Sequence, residues 1–228
     1  MSNTSKDKVI KGELVKRHFK DGQTIMIGGF NKVGAPGSLM KLLYESSVKD
    51  LTLICNNCSN APGNIWEPAS KLIKEGRVKK LLISFTRTNT DLLMLYESGE
   101  MDIEMIPQGT LAERIRAGAF GLGGILTTVG LNTIIAEGKQ VIHVQGKDYL
   151  LELPLKADVS LVKASVADYL GNAVCLGTSS NFNTIMAPAG RVTLLEADRV
   201  VPVGVITPGE VHIPGIFVDN VILKNEVE

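Results

Sequence analysis

The chain has 228 residues, with 24 basic and 24 acidic side chains and a pI near 6.8. That balance excludes an electrostatic footprint for nucleic acid or for an anionic membrane, and no basic patch interleaved with aromatics stands out. A hydrophobic content of 44% and a charged content of 21% are those of an ordinary globular chain, long enough for one full domain over residues 1–228.

The first 22 residues carry no apolar signal-peptide core, which predicts a cytoplasmic protein. Leu14 to Phe19 reads as the end of an N-terminal helix, and Thr24–Ile27 as a strand. Pro36 stands at the first position of a helix whose Leu39, Leu42 and Leu43 share one face. Leu51–Cys55, "LTLIC", is the short continuous apolar run of a strand buried on both faces. A helix around Ala69–Lys74, a strand over Val78–Phe85, a helix over Asp91–Tyr96 and a strand over Ile103–Ile106 follow.

In "PQGTLAERIRAG", Thr110 and Glu113 have the spacing of a capping box, and Gly118 is placed to end the helix. Ala117 to Ala136 is uncharged for 20 residues, about the length of a membrane span. Its five glycines, three threonines and asparagine argue instead for a Gly-rich loop between short elements. "VIHVQGKDYLLEL" has two β-like runs around Gln145-Gly146-Lys147, a hairpin signal. A strand in "ADVSLVKASVAD", a helix in Asn183–Ala189, a strand in "RVTLLEA" and a strand near Ile216–Ile222 complete the pattern. The alternation predicts an α/β fold: a mostly parallel open sheet flanked by helices, with right-handed crossovers and a small antiparallel hairpin insertion.

No self-contained catalytic set is visible. There is no P-loop lysine, G-x-S-x-G elbow or H-E-x-x-H, and the glycines at 118–124 follow a helix and miss the dinucleotide spacing. Cys55 and Cys58 form a C-x-x-C, but Cys175 and the three histidines are scattered, so no metal set is completed. The cysteines read as small, partly buried thiols of a reducing compartment.

Three stretches at predicted strand ends remain. Gly28-Gly29-Phe30 lies between a strand and a helix, where glycine lets backbone N–H groups approach a ligand or another chain. The same residues also suit a tight turn with Phe30 in the core. Asn56-Asn57 offers donors and acceptors at a sheet edge, or simply forms a turn. Gln108, between a strand and a helix start, suits a preorganised donor to a developing oxyanion, or an amide that satisfies loop backbone.

Together these stretches resemble a known family. The run from Asp21 to Pro36, "DGQTIMIGGFNKVGAP", resembles the alpha-subunit signature of family I coenzyme A transferases. "PQGTLAERIRAG", the following "GLGG", Glu137–Lys139, Tyr149–Asp158, Leu170–Asn172, Asn181–Asn183 and Thr207–Gly209 resemble the same family, so the resemblance covers nearly the whole chain. It implies a two-subunit enzyme that moves coenzyme A from an acyl-CoA to a short-chain carboxylic acid by ping-pong kinetics. Coenzyme A would be a substrate, with no tightly bound cofactor and no metal. The nucleophilic glutamate would lie on the partner subunit of a heterotetramer. Gln108 would be the oxyanion donor, and Gly28, Gly29, Phe30, Asn56 and Asn57 would line the substrate site.

The chain departs from acetoacetate-using relatives at Thr127–Thr133, where they typically show T-P-T-G-V-G-T, and at Ser180–Thr184, where they often show R-N-F-N-P. These departures leave acetate, butyrate or a 3-oxoacid open as the acid. Two other readings stand beside this one: a stand-alone sugar-phosphate isomerase or ligand-sensing domain of related fold, and a scaffold subunit without catalytic residues.

Overall fold

The computed structural model describes residues 7–224. In chain order, its strands and helices are β1 (Thr24–Ile27), α1 (Gly37–Glu45), β2 (Leu51–Asn57), α2 (Glu67–Lys74), β3 (Val78–Phe85), α3 (Thr90–Ser98), β4 (Asp102–Met105) and α4 (Gln108–Ala119). Then come β5 (Ile125–Thr127), β6 (Val141–Val144), β7 (Lys147–Glu152), β8 (Ala157–Asp168), β9 (Ala173–Val174), α5 (Asn183–Met186), β10 (Gly190–Val201) and β11 (Asn220–Leu223). The main sheet runs β11-β10-β8-β1-β2-β3-β4 with every pairing parallel, and β9 adds to β8 antiparallel.

The parallel sheet explains the continuous apolar runs. Every residue of β2 except Thr52 is buried, because helices cover both faces. Alternation along β1 sends Ile25 and Ile27 to a core built with α1 and α2, and Met26 to a second core built with Leu111, Ile115 and Met186 from α4 and α5. Parallel strands place all their carboxyl ends along one edge, where the loops after β1, β2, β3 and β4 gather.

The predicted hairpin forms as β6 and β7, with Gln145 and Gly146 both at positive φ in its turn. Sequence pattern missed its third strand, β5, which makes a sheet ordered β5-β7-β6. A buried charge network fastens this small sheet to the main one. The Arg114 guanidinium on α4 lies 2.6 Å from Glu104 of β4 and 3.6 Å from Glu152 of β7, and donates to the Leu153 carbonyl at 2.8 Å. Lys139 closes on the other oxygen of Glu152 at 2.5 Å. Only 2% of Glu152 is exposed, so its charge depends on these two cations.

Several local expectations change. The N-terminal turn is a 3-10 helix over Gly12–His18, and Pro36 is the N-cap residue of α1 rather than its first residue. The capping box does not form at Thr110. The helix starts two residues earlier, so Thr110 sits inside it and Glu113 pairs with Arg116 at 3.2 Å. Gly118 does not end α4, which runs on to Ala119; it is bare because a Cβ there would lie 1.8 Å from the Leu155 carbonyl oxygen. The tail strand is shorter than expected, because residues Gly215–Phe217 form a 3-10 turn before β11. Among the described residues no helix is long and apolar enough to cross a membrane. Ala117–Ala136 holds the end of α4, a loop, β5 and a 3-10 turn.

Removing the Glu152 carboxylate leaves two cations without their shared anion. Glu152→Ala should therefore destabilise the chain by about 3 kcal/mol, read as a lower urea midpoint with an unchanged slope.

Candidate active site at the carboxyl edge

The loop after β1 makes a set of hydrogen bonds within its own chain. Gly28 donates to the Leu161 carbonyl at 2.9 Å, continuing the β1–β8 ladder. Phe30 and Val33 exchange two backbone hydrogen bonds of 2.9 and 3.0 Å around a tight turn in which Asn31 takes φ 51°. Asn31 donates its N–H to Asn57 Oδ1 at 2.8 Å, and its carbonyl accepts from the indole of the fully buried Trp66. Phe30 is 41% exposed, so its ring is not part of the core.

The bare glycines have an internal cause. Asn183, fully buried at the start of α5, accepts from the Lys163 N–H at 2.9 Å and donates to the carbonyls of Gly34 at 2.9 Å and Ser179 at 2.8 Å. A Cβ on Gly28 would lie 2.0 Å from Asn183 Oδ1. At Gly29, with φ +106°, a Cβ would meet Ala35 backbone at 2.8 Å. The loop is packed from beneath, and residues 30–33, from Phe30 to Val33, are its exposed side.

Beneath the loop, the first turn of α1 is capped by a distant carboxylate. Glu196 Oε2 accepts from the N–H groups of Ser38 at 2.7 Å and Leu39 at 3.3 Å, and Oε1 lies 3.0 Å from the Lys163 ammonium. A carboxylate at a helix N-terminus satisfies orphan donors and complements the dipole. Burial alone would lower the Lys163 pKa, but Glu196 and Asp198 outweigh it and hold the ammonium above its ordinary range. The lysine's half of the pair is thus fully charged below about pH 10.5, the ordinary lysine value, and its contribution is lost as pH rises through the raised folded value.

Sequence neighbours Asn56 and Asn57 end β2, both buried. Asn57 Oδ1 takes the Asn31 N–H and, at 3.1 Å, the Asn56 side-chain N–H. A backbone N–H can only donate, so this contact fixes the Asn57 oxygen as an acceptor. The Asn56 atom beside it is therefore Nδ2, which has a second proton to give. Asn57 lines a cavity of about 360 Å³ with Asn31, Lys32, Ser59, Asn64 and Trp66.

Gln108 is at the same sheet edge but not beside the asparagines. It is the first residue of α4, exposed, two strands away from Asn57. With strands about 4.8 Å apart, that is a backbone separation of about 10 Å. The structure thus joins Gly28, Gly29, Phe30 and Asn57 through one loop and sets Gln108 across an open edge. A larger cavity of about 520 Å³ opens at the amino edge, near Thr24 and Gly190. The carboxyl edge is the better candidate, because the loops and helix N-termini that bind ligands in such sheets converge there. Sequence reasoning took Asn183 for one residue of a motif and missed Glu196, because both act on residues far away in the chain.

The thiols are closed to chemistry. Cys55, Cys58 and Cys175 are free and buried; burial pushes Cys58 up to about 12 and Cys175 to about 11, and raises Cys55 well above the ordinary thiol value. Among the described residues no cluster of histidine, cysteine and carboxylate side chains could hold a metal ion.

These features define an open parallel α/β protein with a polar, glycine-bounded candidate site at the carboxyl edge. Residues 11–224 match the family model of coenzyme A transferase. The chain is 43% identical over 208 residues to the alpha subunit of the acetate CoA-transferase of Escherichia coli K12, covering 91% of this chain and 93% of that one. It is 42% identical over 215 residues to the acetoacetyl-CoA:acetate/butyrate CoA transferase alpha subunit of Clostridium acetobutylicum, covering 94% and 97%. Its fold is similar to that of the acyl-CoA transferase YdiF apoenzyme from Escherichia coli O157:H7, with a TM-score of 0.83 at 20% identity. That match covers 95% of this chain but spans 46% of the YdiF chain. The chain belongs to the coenzyme A transferase family, among its alpha subunits.

Two outcomes check the site. Gly28→Ala should cost about 1–3 kcal/mol, because the new methyl overpacks Asn183. Gly109→Ala, whose Cβ meets nothing within 4 Å, should be nearly neutral in the same unfolding assay. The native chain at neutral pH should resist alkylation by iodoacetamide at all three cysteines, and accept three equivalents once denatured, as mass spectrometry would show.

Proposed function

We propose that residues 1–228 form the alpha subunit of a cytoplasmic, two-subunit enzyme that moves coenzyme A between a short-chain acyl-CoA and a free carboxylic acid. The acid is of the acetate, butyrate or acetoacetate class, in keeping with the names of the two relatives. Coenzyme A is a substrate, not a resident cofactor. The nucleophilic glutamate comes from the partner subunit, and the complex is a heterotetramer.

The observation that carries this reading is the state of the buried carboxylates. Glu152, Asp168 and Glu196 are the buried acids among the described residues. Glu152 binds Lys139 and Arg114; Asp168 accepts from the N–H groups of Leu170 and Asn172 and from the Asn172 amide; Glu196 caps α1 and binds Lys163. Each carboxylate is already engaged on both oxygens. This engagement supports a nucleophile supplied by another chain.

In the proposed cycle the partner's glutamate attacks the thioester carbonyl. The carbonyl electrons move to oxygen, then return and expel the coenzyme A thiolate, leaving an acyl-glutamyl anhydride. The thiolate attacks the glutamyl carbonyl, releasing the first acid and forming a glutamyl-CoA thioester. The acceptor acid reverses both steps. Each attack passes through an oxyanion, and the amide of Gln108 donates to it. Asn56 and Asn57 donate to the acyl or carboxylate oxygens, and the exposed side of the Gly28–Phe30 loop closes against the partner. Phe120, Leu122, Leu126, Val129 and Ile134, all exposed along the Gly-rich segment and β5, supply an apolar contact for the partner subunit.

Three outcomes test the reading. The isolated chain should show no transfer from acetyl-CoA to short-chain acids, and turnover should appear when the partner subunit is added; robust turnover without it would refute the shared site. In the reconstituted complex Gln108→Ala should lower kcat by about 10²–10³ with assembly intact. Leu122→Asp should weaken co-purification with the partner subunit while leaving the isolated chain as stable as the parent.

A further inference from the structure

Five buried side-chain polar atoms have no hydrogen-bond partner among the described residues, and three of them are carried by β2, β3 and α4, which pack around one core. These are Asn56 Oδ1, Ser84 Oγ and Thr110 Oγ1. The β2–β3 register pairs Cys55 with Ile83 and Asn57 with Phe85, which sets Asn56 beside Ser84 on adjacent strands. Alternation puts Asn56 on the face of Ile54 and Ser84 on the face of Leu82, and both of those residues pack in the same core as Leu111 of α4. Thr110 directly precedes Leu111 in the first turns of α4, which packs over β3, and is 4% exposed. The other two orphaned atoms, on Arg77 and Ser160, lie before β3 and within β8.

Buried polar atoms in folded proteins nearly always find partners, and a buried water typically makes about three hydrogen bonds. The chemistry of the three atoms fits one such molecule. A hydroxyl can donate, and an amide oxygen can only accept. A water that accepts from Ser84 and Thr110 and donates to Asn56 Oδ1 satisfies all three.

We propose that Ser84 and Thr110 are positioning residues of the transfer site, and that through an ordered water they fix the side-chain amide of Asn56. Asn57 holds one Asn56 N–H; the water holds the oxygen. The amide is then clamped at both ends, and its second N–H keeps one direction, toward the carboxyl edge. Neither hydroxyl touches substrate. The inference rests on the reading that Asn56 donates to the reacting acyl group.

The test uses the complex reconstituted with the partner subunit, measuring kcat and KM for acetyl-CoA. Asn56→Ala should lower kcat. Ser84→Ala and Thr110→Val should each lower it by about tenfold to a hundredfold, the scale of a donor misplaced by about 1 Å, with KM little changed. Thr110→Ser, which keeps the hydroxyl, should restore most of the rate. A loss with Asn56→Ala but none with Ser84→Ala and Thr110→Val would overturn the positioning role and leave the site reading intact. An unchanged kcat for Asn56→Ala would remove Asn56 from the site and overturn both. Thr110→Ser as poor as Thr110→Val would mark a packing effect and overturn the proposal. A high-resolution crystal structure of the wild-type complex decides the matter without variants: a water bonded to all three side chains is expected, and a dry cluster would overturn the proposal.

Discussion

The candidate site depends on how the chain satisfies a backbone that leaves a buried sheet edge. Residues 28–34 turn sharply out of β1 and would strand their polar groups next to the core. Asn183 takes up that demand from 149 residues away, donating to the Gly34 carbonyl while its oxygen receives the Lys163 N–H. Its amide fills the space where a Gly28 side chain would be. The glycines are therefore bare for their own chain first. Whatever approaches from outside meets a loop already set in place.

The same economy holds one layer down. Glu196 on β10 caps α1 and anchors Lys163 on β8, so the strand pair and the helix after the loop share one buried charge. On the far side, Glu152 performs the equivalent task for the small sheet through Arg114 and Lys139. Because these acids are engaged, the edge of the sheet offers amides, hydroxyls and backbone but, among the described residues, no free buried carboxylate. Such an edge accords with the proposal that this chain supplies hydrogen-bond donors and a partner chain supplies the nucleophile.

Much of the fold was legible in the sequence. The apolar run Leu51–Cys55, the periodic helix after Pro36 and the turn at Gln145-Gly146 each carry their structure locally, and all formed where expected. Local pattern failed where a distant contact outweighed it. Thr110 and Glu113 have capping spacing, yet α4 begins at Gln108, following the short β4, and buries Thr110. Gly118 has the composition of a helix end, yet it is a contact with the Leu155 carbonyl inside α4. The three-residue strand β5 is too short and too exposed to show a period, and exists because β7 pairs with it.

By itself the sequence determined the class of fold, the positions of most strands and helices, and the motifs that mark the coenzyme A transferase family, because these reside in composition and short-range spacing. It also placed Gly28, Asn57 and Gln108 at strand ends. Only the tertiary structure decided what each of them faces. It turned Gly28 toward Asn183, tied Asn57 to Asn31, set Gln108 two strands away, and placed Asn56 beside Ser84 on adjacent strands. Those relations join residues far apart in the chain through register and packing, and such pairings leave no period in the sequence to be read.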